Sequence, residues 1–257
     1  MSRLLPVGTL AWREVLRFVR QRSRLTGALG QPLLFWLLLG AGFHASFRPP
    51  GFPAGTSYAQ YVFPGILALV LLFTAIFATF SVVEDRQTGF LQGVLVAPVP
   101  RAAIVLGQAL GATILAVGQA LVFLALAPAA GVRLHLAGAA AAVPVMLLVA
   151  FALATLGLCI AWRIDSTQGF HAIINLILLP MWLLSGAFFP LAGAPGWLQW
   201  AMRLNPLTYG MTALRSVLTL GDRGVGPSPD LGPALVVTAA FAGLAFLAAA
   251  ATARRKE

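Results

Sequence analysis

Few residues in this chain could do chemistry, and the densest group lies in one stretch, "VVEDRQTGFLQGVLVAPVPR", from Val82 to Arg101. Glu84 and Asp85 are the only adjacent carboxylates among the seven acidic residues, which are otherwise scattered. A general acid–base pair needs two carboxylates that converge, and neighbours on a helix point in different directions. His44, His135 and His171 share neither a helix face nor a close spacing, so no metal site is expected from them. The single cysteine, Cys159, allows no intramolecular disulfide and reads as a small buried hydrophobe. Thr74, Gln108, Gln119, Thr155 and Asn175 are the polar side chains inside apolar runs, where they serve either helix-to-helix hydrogen bonds or a substrate path.

The surroundings of these residues define their solvent. The chain has 257 residues, 60% hydrophobic and 9% charged, with a mean hydropathy of +0.90. Soluble domains carry roughly 25% charged residues, so lipid must cover most of this surface. A helix crosses a bilayer with roughly 20 apolar residues. Six spans are expected, at about 26–47, 61–83, 103–128, 136–161, 169–190 and 232–252, the fifth kinked or broken by Pro180 and Gly186. The fold class is therefore an all-α integral membrane protein, with 1–257 forming one transmembrane domain.

The net charge of +10 would suggest nucleic acid in a soluble protein; here it sets orientation instead. Arg3, Arg13, Arg17, Arg20, Arg22, Arg24, Arg86, Arg101, Arg163, Arg254, Arg255 and Lys256 fall on one side of the six-span layout. Arg48, Arg133, Arg203, Arg215 and Arg223 fall on the other. Both termini and the 82–101 loop are thus expected in the cytoplasm of a multi-pass protein of the cell (inner) membrane, with no nucleic-acid partner. No small-residue cleavage site follows a short apolar region near the start, so the first span is expected to do the targeting. No Asp, Glu, Lys or Arg falls in the middle of a span, which argues against ion-coupled transport.

Three segments connect these spans. Residues 1–25 carry "TLAWREVLRFVRQRSR", with Arg13, Arg17, Arg20 and Arg24 on one helical stripe and apolar residues opposite. That pattern predicts an interfacial helix with arginines toward lipid phosphates. Residues 84–98 predict a short cytoplasmic helix with Glu84 and Asp85 in its first turn and Phe90, Leu91, Val94 and Leu95 as an apolar face, ended by Pro98 and Pro100. Such a face needs lipid or another protein to bury it. Residues 190–220 predict two short outer-side helices separated by Asn205-Pro206, with Trp197, Trp200 and Tyr209 at the membrane interface and a re-entrant hairpin as the result.

The stretches "EDRQTGFLQGVLVAPVPR" and "LSGAFFPLAGAPGWLQWAMRLNPLTYGMTALRSVL" resemble, in order and on opposite sides of the membrane, the signature segments of type-2 ABC-exporter permeases. The drug and antibiotic branch looks closer than the polysaccharide branch. The resemblance covers nearly the whole chain. It implies a coupling helix docked on a separate ABC ATPase subunit, with Glu84, Gly89, Phe90, Leu91 and Val94 as the contact. Asp85 and Arg86 depart from the family's acidic–basic pattern. It also implies two ATPase copies and a second permease copy, as homodimer or related heterodimer. Phe73, Phe77 and Asn175 become substrate-path candidates for an amphiphilic drug-, lipid- or glycoconjugate-like cargo. The chain has no G-x-x-x-x-G-K-[ST] loop, and Lys256 is its only lysine, so ATP and Mg are expected on the partner and no cofactor here. The alternatives are a membrane-embedded lipid-modifying enzyme and an ion-coupled secondary transporter. "GQALG", Gly107 to Gly111, could support close helix packing.

Overall fold

The computed structural model describes residues 5–42, 57–132, 134–188, 190–220 and 231–255, and within them the chain is helical. In chain order the helices are α1 (Leu5–Arg20), α2 (Arg22–Gly42), α3 (Tyr58–Ala78), α4 (Phe80–Gln87), α5 (Phe90–Val96), α6 (Arg101–Leu124), α7 (Leu136–Ala161), α8 (Thr167–Trp182), α9 (Gly196–Leu204), α10 (Pro206–Leu218) and α11 (Leu231–Arg255).

Five helical segments are long and apolar enough to cross a membrane: Tyr58–Gln87, Arg101–Leu124, Leu136–Ala161, Thr167–Ala187 and Leu231–Arg254. They match the second to sixth expected spans. The expected first span, 26–47, falls on α2, whose apolar part runs only from Gly30 to Gly42 before the described residues end.

The segment Tyr58–Gln87 is the centre of the bundle. Its most apolar stretch is 89% buried, against 33% for Thr167–Ala187 and for Leu231–Arg254. A helix apolar on every side suits either a protein interior or lipid. Lipid gives apolar side chains no reason to leave it, so helices here associate by close packing instead. Phe63 and Phe123 stack at 5.1 Å, with Trp36 edge-on to each at 6.0 Å. A Cβ on Gly65 would come within 2.8 Å of the Ala187 Cβ, so glycine sets that approach. The Thr74 hydroxyl donates to the Gln119 amide oxygen and joins α3 to α6, whereas Thr155 bonds only carbonyls of its own helix, Phe151 and Ala152.

The fifth span breaks, as its Pro and Gly foretold. α8 runs through Pro180 into a π-helical turn, Leu183–Ala187, where Gly186 takes φ +83°. That left-handed backbone carries no steric cost only for glycine. The chain then returns through α9 and α10. Asn205 organises this corner: its side chain accepts from the Leu207 amide at 3.1 Å and donates to the Met181 carbonyl at 2.6 Å. Pro206 starts α10 at a position where a missing N–H costs nothing. The Tyr209 hydroxyl donates to the Arg203 carbonyl at 3.0 Å, while Trp197 and Trp200 stay exposed.

Two expectations require correction. Glu84 and Asp85 do not open the short helix. They lie in the last turns of α4, which prolongs α3 past Thr79, and the short helix α5 begins only after Gly89 at φ +77°. Val82 and Val83 are fully buried, which carries the helix further than its polar residues suggested. Carboxylates near a helix C-terminus oppose its dipole, so they need cations from elsewhere. The second correction concerns the source of those cations. Arg13 and Arg17 do not turn to lipid phosphates but to these carboxylates.

Candidate functional site

The polar groups converge where α1, α4, α5 and the α7–α8 connection meet. α1 lies on α6 with Val7, Ala11, Glu14 and Phe18 inward. The "GQALG" glycines are what permit this. A Cβ on Gly107 would meet the Leu10 Cβ at 2.9 Å, and one on Gly111 would meet the Glu14 Cβ at 2.7 Å. The close helix approach expected there is therefore between a span and the amphipathic helix of the same chain.

That seat aims α1's arginines at α4. Arg13 donates from both terminal nitrogens to the two oxygens of Asp85, each at 2.7 Å. Arg17 bridges the acidic pair, reaching Asp85 Oδ1 at 2.8 Å and Glu84 Oε2 at 2.6 Å. The fork geometry of guanidinium suits such bidentate pairing. Asp85 hydrogen-bonding holds the Arg13 guanidinium above its already high ordinary pKa. Arg13 also lies 3.9 Å over the Phe90 ring, tying α1 to α5. Glu14 is buried, and desolvation raises its pKa despite a hydrogen bond from Ser81 and the nearby Arg13. Arg20 is exposed and Arg24 lies in α2, its side chain outside the described set.

On the opposite flank of α4, Arg86 donates to the Ile164 carbonyl at 2.9 Å, to Asp165 Oδ1 at 2.7 Å and to the Trp162 carbonyl at 3.2 Å. Gln87 donates to the Asp165 carbonyl at 3.2 Å. Arg101 closes the far end of α5 by donating to the Leu95 carbonyl at 3.2 Å.

Of the expected contact residues, Glu84, Phe90 and Val94 flank this junction, and Gly89 makes its turn. Leu91 differs: it is 3% exposed, packed into the chain's own core, and so offers nothing to a partner. The open surface of α5 is Phe90, Gln92, Gly93 and Val96, the last 87% exposed. Beside it, Leu10, Phe90, Gly93, Val94, Ala97 and Ile104 line a cleft of about 480 Å³.

A second cavity, of about 280 Å³, lies deeper. Phe18, Phe73, Thr74, Phe77, Phe80 and His171 line it, so two substrate-path candidates share one chamber. His171 packs 4.7 Å from the Phe80 ring. Asn175 is exposed on α8, four residues on from His171 and on the same helix stripe. His135 immediately precedes α7, without a side-chain cap bond to it, and His44 lies outside the described residues.

Asp85, Arg86, Glu14 and Asp165 were not picked out as site residues by sequence reasoning. Arg13 and Arg17 stand four apart on one face, but that spacing does not say which anions they meet.

The sequence profile of the ABC-2 type transporter family matches residues 6–219, a stretch that holds both the α1–α4–α5 junction and helices α9 and α10. The chain belongs to the ABC-2 type transporter family. Relatives of this ABC-2 permease agree. The transport permease named ycf38 of Porphyra purpurea is 28% identical over 84% of this chain and 75% of its own length. Nodulation protein J of Rhizobium meliloti (strain 1021) is 29% identical over 81% of this chain and 77% of its own. The multidrug ABC transporter permease named YbhR of Escherichia coli (strain K12) is 29% identical over 74% of this chain and 52% of its own length. As an ABC-2 permease, the chain is a multi-pass membrane transport subunit that works with an ABC ATPase.

Proposed function

We propose that this permease is the membrane half of an ATP-driven exporter and that α5 is its coupling helix. The observation that carries this reading is the junction itself. A short helix with an exposed apolar surface at Phe90 and Val96 follows directly on α4, whose end is held by charge-assisted bonds from two sides, and Arg13 and Arg101 reach the short helix itself at Phe90 and the Leu95 carbonyl. A surface that must carry force needs such directional anchoring, whereas a lipid-facing helix does not. ATP and Mg would act on a separate ATPase, one copy beneath each of two permeases, with the second permease either identical or related.

In this reading α2 completes six spans, α9 and α10 form a re-entrant hairpin at the outer face, and both termini lie in the cytoplasm of the cell's inner membrane. The cargo is amphiphilic: its apolar part enters the chamber of Phe73 and Phe77, where rings dominate, and Thr74, His171 and Asn175 meet its polar part. The drug-, lipid- and glycoconjugate-like classes all fit that description.

Co-expression with the ABC ATPase encoded nearest to the chain tests the reading. The two should elute together after gentle solubilisation, with ATPase activity, and Val96→Glu should separate them. A permease that purifies alone, or a complex indifferent to Val96→Glu, would return α5 to the role of a lipid-facing helix.

A further inference from the structure

Four consecutive residues at the end of α4 face two neighbours. Glu84 and Asp85 hold α1, while Arg86 and Gln87 hold the connection from α7 to α8. Trp162, whose side chain is buried, and Ile164 follow directly on α7, where the last carbonyls of a helix lack partners within it. Arg86 supplies them with a cation, the favourable charge at that end. Its ion pair with Asp165 adds little, because the Asp165 side chain is 72% exposed. The two carbonyl bonds and the 5.7 Å approach to the Trp162 ring are the built part of the contact.

The next residue in the chain is Ser166, whose hydroxyl accepts from the Gly169 amide at 2.8 Å and starts α8. The connection from Arg86 to the first turn of α8 is therefore short and bonded throughout. α8 is one of the least buried spans, and its directional ties to the bundle, Trp182 Nε1 to the Gly65 carbonyl at 2.7 Å and Asn205 to the Met181 carbonyl at 2.6 Å, lie at its far end. Its other tie to α4, Phe80 against Phe170 and His171, is ring packing without directional bonds.

We propose that Arg86 is a positioning residue that passes displacement of α5 to α8, the span whose exposed stripe carries His171 and Asn175. This rests on the reading of α5 as the coupling helix. α5 is tied to α4 through Gly89, so a push on α5 shifts the last turn of α4. The Arg86 fork then carries the α7–α8 connection with it, because carbonyls bonded at fixed distances follow the guanidinium.

Hydrogen–deuterium exchange of the permease–ATPase complex in nanodiscs, with and without ATP and vanadate, tests this. In the wild type, trapping should change exchange both in residues 90–96 and in the first two turns of α8. In Arg86→Gln, assembly and the response of 90–96 should persist, while the response of α8 falls at least about fivefold, the lower bound of ordinary coupling between sites. Adding Gln87→Cys and Asp165→Cys, joined by a short bis-maleimide that each thiol adds to, should restore it. If Arg86→Gln fails to assemble, Arg86→Lys, which keeps the charge without the fork, should show the same loss to a lesser degree. An α8 response equal to wild type in the assembled variant overturns the proposal. No response of 90–96 in the wild type overturns the coupling-helix reading, and the proposal falls with it.

Discussion

Arg13 grips Asp85 with both terminal guanidinium nitrogens at 2.7 Å, across 72 residues of sequence. Asp85 is nearly buried and accepts from Arg17 as well, so it is the hub of the junction. Asp85→Asn should lower stability by about 2–3 kcal/mol, below the range for wholly buried pairs, because Arg13 and Arg17 keep 32% and 25% of their side chains exposed. Chemical denaturation in detergent micelles reads this directly. In a double-mutant cycle, Arg13→Ala should cost much less on the Asp85→Asn background than alone. Additive costs would mean that the pair is not an energetic unit.

The seat of α1 depends on two missing side chains. Gly111→Ala would drive a methyl into Glu14 and the Ala11 carbonyl, and should cost about 1–3 kcal/mol by overpacking. Gly118→Ala on the same helix meets nothing within 4 Å and serves as the control. The relevant readout is protease accessibility near Arg20. Equal behaviour of the two variants would place α1 away from α6.

Glu14 gives the junction a pH dependence. Burial raises its pKa above the ordinary 4.5, so the folded state binds its proton more tightly than the unfolded state does. In the window above 4.5 the folded state then holds more protons, and stability falls as pH rises through it. Glu14→Gln should flatten that fall and leave the protein more stable at neutral pH than the wild type. Melting curves from pH 4 to pH 8, an interval that brackets the ordinary carboxylate range, decide it. A variant that is less stable at neutral pH would show that the charged form is the one the fold needs.

Leu91 and Phe90 are neighbours with opposite fates. Leu91→Glu would bury a carboxylate in the core and should abolish stable expression. Phe90→Glu instead sets a carboxylate beside the Arg13 guanidinium on an exposed site, so the permease should fold and lose only its ATPase. Size-exclusion profiles with and without the ATPase separate the two outcomes. A folded Leu91→Glu chain would contradict the packing of α5.

Composition and apolar run length determined that this chain lives in lipid, because backbone in hydrocarbon must satisfy itself as helix. Those runs located the second to sixth spans within a few residues, and Pro180 with Gly186 announced the break in α8. Local chemistry also announced Asn205-Pro206, since a side-chain cap and a proline at the first helical position act within one turn. Only the tertiary structure decided what the charges do. The stripe that predicts arginines facing phosphates is equally satisfied by two carboxylates 67 to 72 residues away, and helical periodicity cannot choose between them. It likewise cannot orient a seven-residue helix, so Leu91 and Phe90 read alike until Gly89 and Arg13 fix which side turns inward. Arg86 shows the same limit most plainly: its partners are mainly backbone carbonyls at the end of another helix, groups that every residue carries and that no residue type in a sequence reveals.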